Sequence, residues 1–79
     1  MPGPLNISDP NQVAMRYDYD ASGNMIYMGR SNIKAQNSAA VWEIRKFTYS
    51  GSNLTSVTWA DGNRRADNVW DDRASLSYS

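Results

Sequence analysis

The chain contains no cysteine and no histidine. No disulfide can staple it, no thiolate or imidazole can hold zinc, and the best nucleophile and the commonest general base are both missing. Aliphatic residues are scarce too. Leu, Ile, Val and Phe number twelve in 79 residues, below the ~20% that folded chains ordinarily carry. Net charge is also absent. Eight basic side chains balance eight acidic ones, which removes the electrostatic reason to expect nucleic acid or an anionic membrane as partner. No apolar run approaches the ~20 residues that span a bilayer, and "MPGPLNISDP" lacks the charged start and apolar stretch of a secretory leader. The expectation is one small soluble domain, made in a cytoplasm and needing no cofactor.

Aromatic residues and methionine fill part of the deficit. There are five tyrosines, three tryptophans and four methionines, and a buried aromatic removes ~150–250 Å² from water. Such a core is thin for a domain of this size with no staple. Burial against other chains is the remaining remedy, so the composition points to an assembly protein.

All three prolines (Pro2, Pro4, Pro10) fall in residues 1–14, which lack a periodic apolar pattern. Proline fixes φ and removes a donor, so this segment reads as an extended arm. Its contacts with a neighbouring subunit are expected through Pro2, Pro4, Leu5 and Ile7. A small β-sheet domain is expected over 15–79. "MRYDYD" alternates Tyr17 and Tyr19 with charged residues, "ASGN" has turn chemistry, and "MIYMG" forms a second short strand. Residues 30–40 read as a polar loop. "VWEIRKFTYS" is rich in β-branched and aromatic residues and predicts a long strand. "GSN" turns the chain, and "LTSVTWA" puts Thr55, Val57 and Trp59 on one face. "DGNRRADN" is a loop opened by Asp61-Gly62. In "VWDDRASLSYS" Trp70, Ala74, Leu76 and Tyr78 are in phase. That favours a last strand over the helical turn or two that 64–73 would permit.

The chain also repeats itself. "VWEIRKFTYS" (41–50) matches "VWDDRASLSYS" (69–79), and "YDASGNMIYM" (19–28) matches "YSGSNLTSV" (49–57) with one residue deleted. In the second match Tyr19, Ser22, Asn24 and Met25 fall on Tyr49, Ser52, Asn53 and Leu54. The unit of about thirty residues is strand, turn, strand, loop. The predicted fold is therefore all-β: a five-stranded antiparallel meander of two hairpin repeats with an extended N-terminal arm. Its two long loops, 30–40 and 60–68, are expected on the same side of the sheet.

Candidate sites are few. "DYDASGN" resembles the start of a calcium loop, but position twelve is Gly29 where a bidentate acid is needed, and the flanks alternate like strands. The second copy keeps Tyr, Ser and Asn and drops the carboxylates, so a hairpin turn is expected, with Asp18 and Asp20 solvated. Paired acids that would suit glycoside hydrolysis (Asp18 with Asp20, Asp71 with Asp72) have no cleft to work in. The reading is that the protein is not an enzyme and holds no metal. Trp42, Trp59 and Trp70 are expected as core or interface anchors, with Glu43 or Asp71 paired to an arginine across a strand. Tyr17, Tyr19 and Met15 are expected near the arm junction. Arg30, Lys34, Arg64 and Arg65 are candidate loop contacts.

"RYDYDASGNMIYMGR", "VWEIRKFTYSGSNLTSVTWADGN" and "VWDDRASLSYS" together resemble a group of short proteins encoded by tailed bacteriophages, many of them marine or cyanobacterial. The likeness spans residues 16–79. "YDASGN" and "YSGSNLTSV" are also similar to the YD-type hairpin repeats of large secreted toxins and wall proteins. The first resemblance implies a virion location and a structural role beside other virion proteins, in several symmetric copies. The expected function is an adaptor or decoration subunit of the tail, neck or fibre region. Alternatives are a capsid cement protein, a carbohydrate-binding module using loops 30–40 and 60–68 on a host-surface glycan, and a small inhibitor of a host factor.

Overall fold

A computed structural model describes residues 13–79. The expected arm contacts at Pro2, Pro4, Leu5 and Ile7 lie outside the described residues. Five strands form, β1 (Val13–Tyr19), β2 (Met25–Asn32), β3 (Ala40–Ser50), β4 (Asn53–Trp59) and β5 (Asn68–Val69), followed by a 3₁₀ helix over Trp70–Ser75. The first four make an antiparallel meander in the order β1-β2-β3-β4. The all-β hairpin fold read from the sequence is the fold observed. β1 starts at Val13, two residues ahead of the expected start of the sheet domain, and β2 runs on to Asn32, so Arg30 is a strand residue and not a loop residue.

The two hairpins share one local geometry. In the first, Asp18 pairs with Tyr27 and Tyr19 with Met25; in the second, Thr48 pairs with Ser56 and Tyr49 with Leu54. Each return strand therefore carries one extra residue, Ile26 or Thr55, beside the repeated tyrosine. Such a bulge bends and further twists a hairpin. The matched pairs Tyr19/Tyr49 and Met25/Leu54 thus occupy equivalent places. The turns differ. Gly51 supplies the positive φ (63°) for a two-residue turn, which an L-residue with a Cβ resists. In the longer turn Asp20 Oδ1 accepts the backbone N–H groups of Ser22 and Asn24 at 2.9 and 3.0 Å. This is an Asx turn. Asp20 is a turn-forming residue, where a simply solvated one was expected. Asp18 likewise is not merely solvated: its carboxylate meets Arg73 Nε at 3.0 Å.

The other repeat match does not survive folding. Residues 41–50 are strand, but their counterparts at 69–79 supply one strand residue, Val69, then the 3₁₀ helix and an isolated bridge at Tyr78. β5 pairs with the start of β3, Trp42 opposite Asn68, rather than alongside β4. The reason is non-local. A fifth meander strand would only widen a single sheet, which has no core until a second layer covers one face. The last eleven residues supply that layer. A 3₁₀ helix aligns residues three apart, and Trp70 is buried while Arg73 and Leu76 are half-buried. The chain then returns to β4, with Ser79 and Trp59 exchanging backbone hydrogen bonds at 3.1 Å each way.

The core lies between the sheet and this layer. Trp42 and Ile44 of β3, Ala60 and Trp70 are buried, with Ala14, Tyr27, Ala35, Leu76 and Tyr78 packed around them. The Trp42 and Trp70 rings sit 6.2 Å apart. Trp42 Nε1 donates to the Gln36 carbonyl at 2.9 Å, which closes loop 33–39 over the core. Buried Asn68 donates to the Trp42 carbonyl at 3.3 Å and ties down the other loop. Both loops follow strands that run the same way, so they share one end of the sheet, as the repeat predicted.

Tyr78 links the layer to the sheet. Its hydroxyl donates to the Arg73 carbonyl at 2.8 Å and its ring lies 5.7 Å from Tyr27. Burial pushes the phenol up to about 12, with Tyr27 and Asp61 adding to the rise and Arg73 opposing it. The folded state then holds this proton more tightly than the unfolded chain does. That contribution to stability is complete below the ordinary tyrosine value near 10 and is lost as pH climbs through about 12. Urea midpoints are expected to fall between about pH 10 and pH 12, and Tyr78→Phe to flatten that fall. An equally steep alkaline loss in the variant would contradict the assignment.

Candidate docking face

Strand alternation divides the central side chains into two sets. On the covered face lie Ala14, Arg16 and Asp18 of β1, Tyr27, Gly29 and Ser31 of β2, and Trp42, Ile44 and Lys46 of β3. Their contacts agree: the Arg16 guanidinium lies 5.1 Å over Trp42, Lys46 5.8 Å over Tyr78, and Asp18 reaches Arg73 of the 3₁₀ helix.

The opposite face carries Met15, Tyr17 and Tyr19 of β1, Met28 and Arg30 of β2, Glu43, Arg45, Phe47 and Tyr49 of β3, and Val57 and Trp59 of β4. The register makes neighbours of Tyr17 and Met28, Met28 and Arg45, Arg45 and Trp59, and Phe47 and Val57. These residues lie outside the core cluster. Tyr17 is 51% exposed, Tyr19 56% and Val57 40%, with Leu54 at the hairpin tip 51% exposed. A chain so short of apolar side chains would not be expected to leave this many on one open surface, and contiguous apolar patches of this kind mark contact sites.

A charged corner completes the face at its loop end. The Arg45 guanidinium lies over the Trp59 ring at 4.5 Å, and Arg64 from loop 60–67 lies 5.2 Å from the same ring. Glu43 sits between them, 3.5 Å from Arg45 and 4.0 Å from Arg64. Glu43 Oε1 and Arg45 Nε are buried without a hydrogen-bond partner among the described residues. The corner thus holds both charges by ion pairing and stacking, and its hydrogen bonding is incomplete. Beside it Val13, Arg30, Ser31, Asn32, Glu43 and Ala66 line a depression of about 210 Å³.

The sequence candidates divide between the faces. Trp42 and Trp70, at 0% and 4% exposure, are core anchors. Trp59, Tyr17, Tyr19 and Met15 belong to the open face, and only Met15 is near the start of β1. Arg30 and Arg64 border that face. Lys34 instead occupies a tight turn with φ 69°, and Arg65 is an exposed loop residue whose N–H donates to Asn63 Oδ1. Glu43 pairs with Arg45 on its own strand and with Arg64 on a loop, not across a strand as expected. Asp71 makes none of the ion pairs found among the described residues. Loops 30–40 and 60–68 were the expected site for a sugar. Two of the three tryptophans are buried in the core, Trp42 with its indole N–H spent on Gln36 of the first loop, and the third is already stacked by arginine. Sequence reasoning missed the tight approach at Gly29, the structural role of Asn68 and the stacking of Arg45 on Trp59. The signal for the last was the pairing of "EIR" with "VTW" in adjacent strands.

Among the described residues no helix is long and apolar enough to cross a membrane. Comparison with protein-family models, curated proteins and solved structures finds no match for this chain.

Proposed function

We propose that the protein is a non-enzymatic structural subunit of a tailed-bacteriophage particle. In this reading it is an adaptor or decoration protein that docks on neighbouring virion proteins through the open face of its sheet. The supporting observation is the asymmetry of that sheet: one face is closed by residues 70–79, and the other presents Tyr17, Met28, Phe47, Val57 and Trp59 with no layer over them among the described residues. Such a face suits binding by area and shape rather than chemistry on a small substrate. The phage assignment rests on the resemblance over residues 16–79.

The test is composition of purified particles by quantitative mass spectrometry. The protein is expected in many copies per particle, and an exposed-face variant such as Tyr17→Lys is expected to be depleted while its circular dichroism is unchanged. Absence of the wild-type protein from particles would refute the virion role.

A further inference from the structure

We infer that the occupant of the open face is a second copy of this chain, packed face to face across a two-fold axis as a β-sandwich. This rests on the docking reading above and names its partner. Three properties of the face lead there.

The first is size. Four strands ~4.8 Å apart and about six residues long at ~3.3 Å each give a patch of roughly 400 Å², or roughly 800 Å² over two copies before side-chain relief is added. That is under the ~1,000 Å² of a stable interface, so the dimer it supports is a weak, concentration-dependent one. The second is charge. The whole chain is neutral, so two copies approach without net repulsion. The charge nearest the middle of the face, Arg45, already lies over Trp59 with Glu43 beside it, so covering it strands no ion without a counter-charge.

The third is polarity along the strands. The loop end of the face carries Arg30, which makes none of the ion pairs found among the described residues, and Arg64. The hairpin-tip end carries the exposed ring of Tyr19 and the exposed acid Asp20. Sheets in sandwiches pack with strands within about 30° of alignment. An antiparallel arrangement sets the arginine end of one copy over the tyrosine and aspartate end of the other. Two-fold symmetry makes that contact twice, and it brings the central Met28–Phe47–Val57 region of the two copies together. A copy of itself therefore complements the face in charge.

Sedimentation velocity on the full chain from about 1 to about 500 µM tests this across the range where weak dimers dissociate. The wild type is expected to shift from monomer to dimer. Val57→Glu, in the centre of the face, is expected to remain monomeric, at least tenfold weaker in association. Thr48→Glu, exposed on the opposite face of the same hairpin, is expected to dimerise as the wild type does. Should Val57→Glu lose its sheet signal in circular dichroism, Tyr17→Lys on β1 serves in its place. A wild type that stays monomeric throughout, a Val57→Glu protein that dimerises normally, or a monomeric Thr48→Glu protein would each overturn the inference. A monomeric wild type that still needs Val57 for incorporation into particles would overturn self-pairing and leave the docking role standing. A normal dimer absent from particles would do the reverse.

Discussion

Gly29→Ala is expected to destabilise the fold by about 3 kcal/mol, the upper range for overpacking a filled core. Gly29 lies in the middle of β2 on the covered face, where a Cβ would stand 2.6 and 2.8 Å from two ring carbons of Trp70 and 3.2 Å from Trp42. Carbon contacts are favourable near ~3.5–4.0 Å, so the indole of Trp70 must move. It has little room, because the Arg73 guanidinium lies 4.5 Å over the same ring and Trp42 sits on another side. The glycine therefore lets the covering layer approach the sheet backbone. Urea denaturation is the measurement, read as a fall in midpoint without a change in slope. The cause can be checked by a cycle with Trp70→Phe, which shortens the clashing side chain. The two changes should couple, the pair costing at least about 0.5 kcal/mol less than the sum. Additive costs would show that the Gly29 contact is not the source.

Trp42→Ala is expected to cost about 3–5 kcal/mol. A 79-residue chain commands only about 4–12 kcal/mol in total, so this variant should be largely unfolded in mild urea, or already in its absence. Trp42 is fully buried and joins three parts of the molecule: Trp70 in the covering layer, Arg16 on β1, and loop 33–39 through its indole N–H to Gln36. Truncation leaves a cavity and an unpaired carbonyl together. Trp59→Ala offers the contrast. Trp59 is on the open face and only partly buried, so its replacement should cost about 1–2 kcal/mol, mainly in lost packing with Arg45 and Arg64. Near-UV circular dichroism and urea midpoints of the two variants decide it. Equal losses would mean that Trp59 is also a core residue and that the open face is less open than described.

The local features were legible because local chemistry fixes them. Gly51 and Asp20 determine their turns whatever packs nearby. "VWEIRKFTYS" and "LTSVTWA" alternate with the period of strands and became β3 and β4 nearly residue for residue. Even the bulge beside Tyr19 and Tyr49 had its trace in the repeat. "VWDDRASLSYS" misled for a definite reason: its even-numbered apolar residues satisfy a strand, while Trp70, Arg73 and Leu76 satisfy a period of three equally well. Short apolar patterns do not discriminate the two. The choice fell to burial, since a sheet with no cover has no core.

The candidate face was only half legible. Tyr17, Tyr19, Met15 and Trp59 were identifiable as large apolar side chains in need of burial, but not which of them the monomer would bury. The three tryptophans look alike in sequence, each beside a charge or a turn. Tertiary structure separates them, because Trp42 and Trp70 meet across Gly29 while Trp59 lies on the other side of the same sheet. Glu43 was expected to pair with an arginine across a strand, yet its partners are Arg45, the next residue on the same face of its own strand, and Arg64, on a loop about twenty positions away.

By itself, then, the sequence determined the β-hairpins, their turns, the charge balance and the absence of cysteine and histidine. These follow from dihedral preferences, alternation and composition, which act over a few residues or over none in particular. The tertiary structure alone decided that the last residues cover the sheet instead of extending it, and hence which face is left open among the described residues. That choice depends on where apolar area is best removed from water, and distant segments make it only once they are brought together.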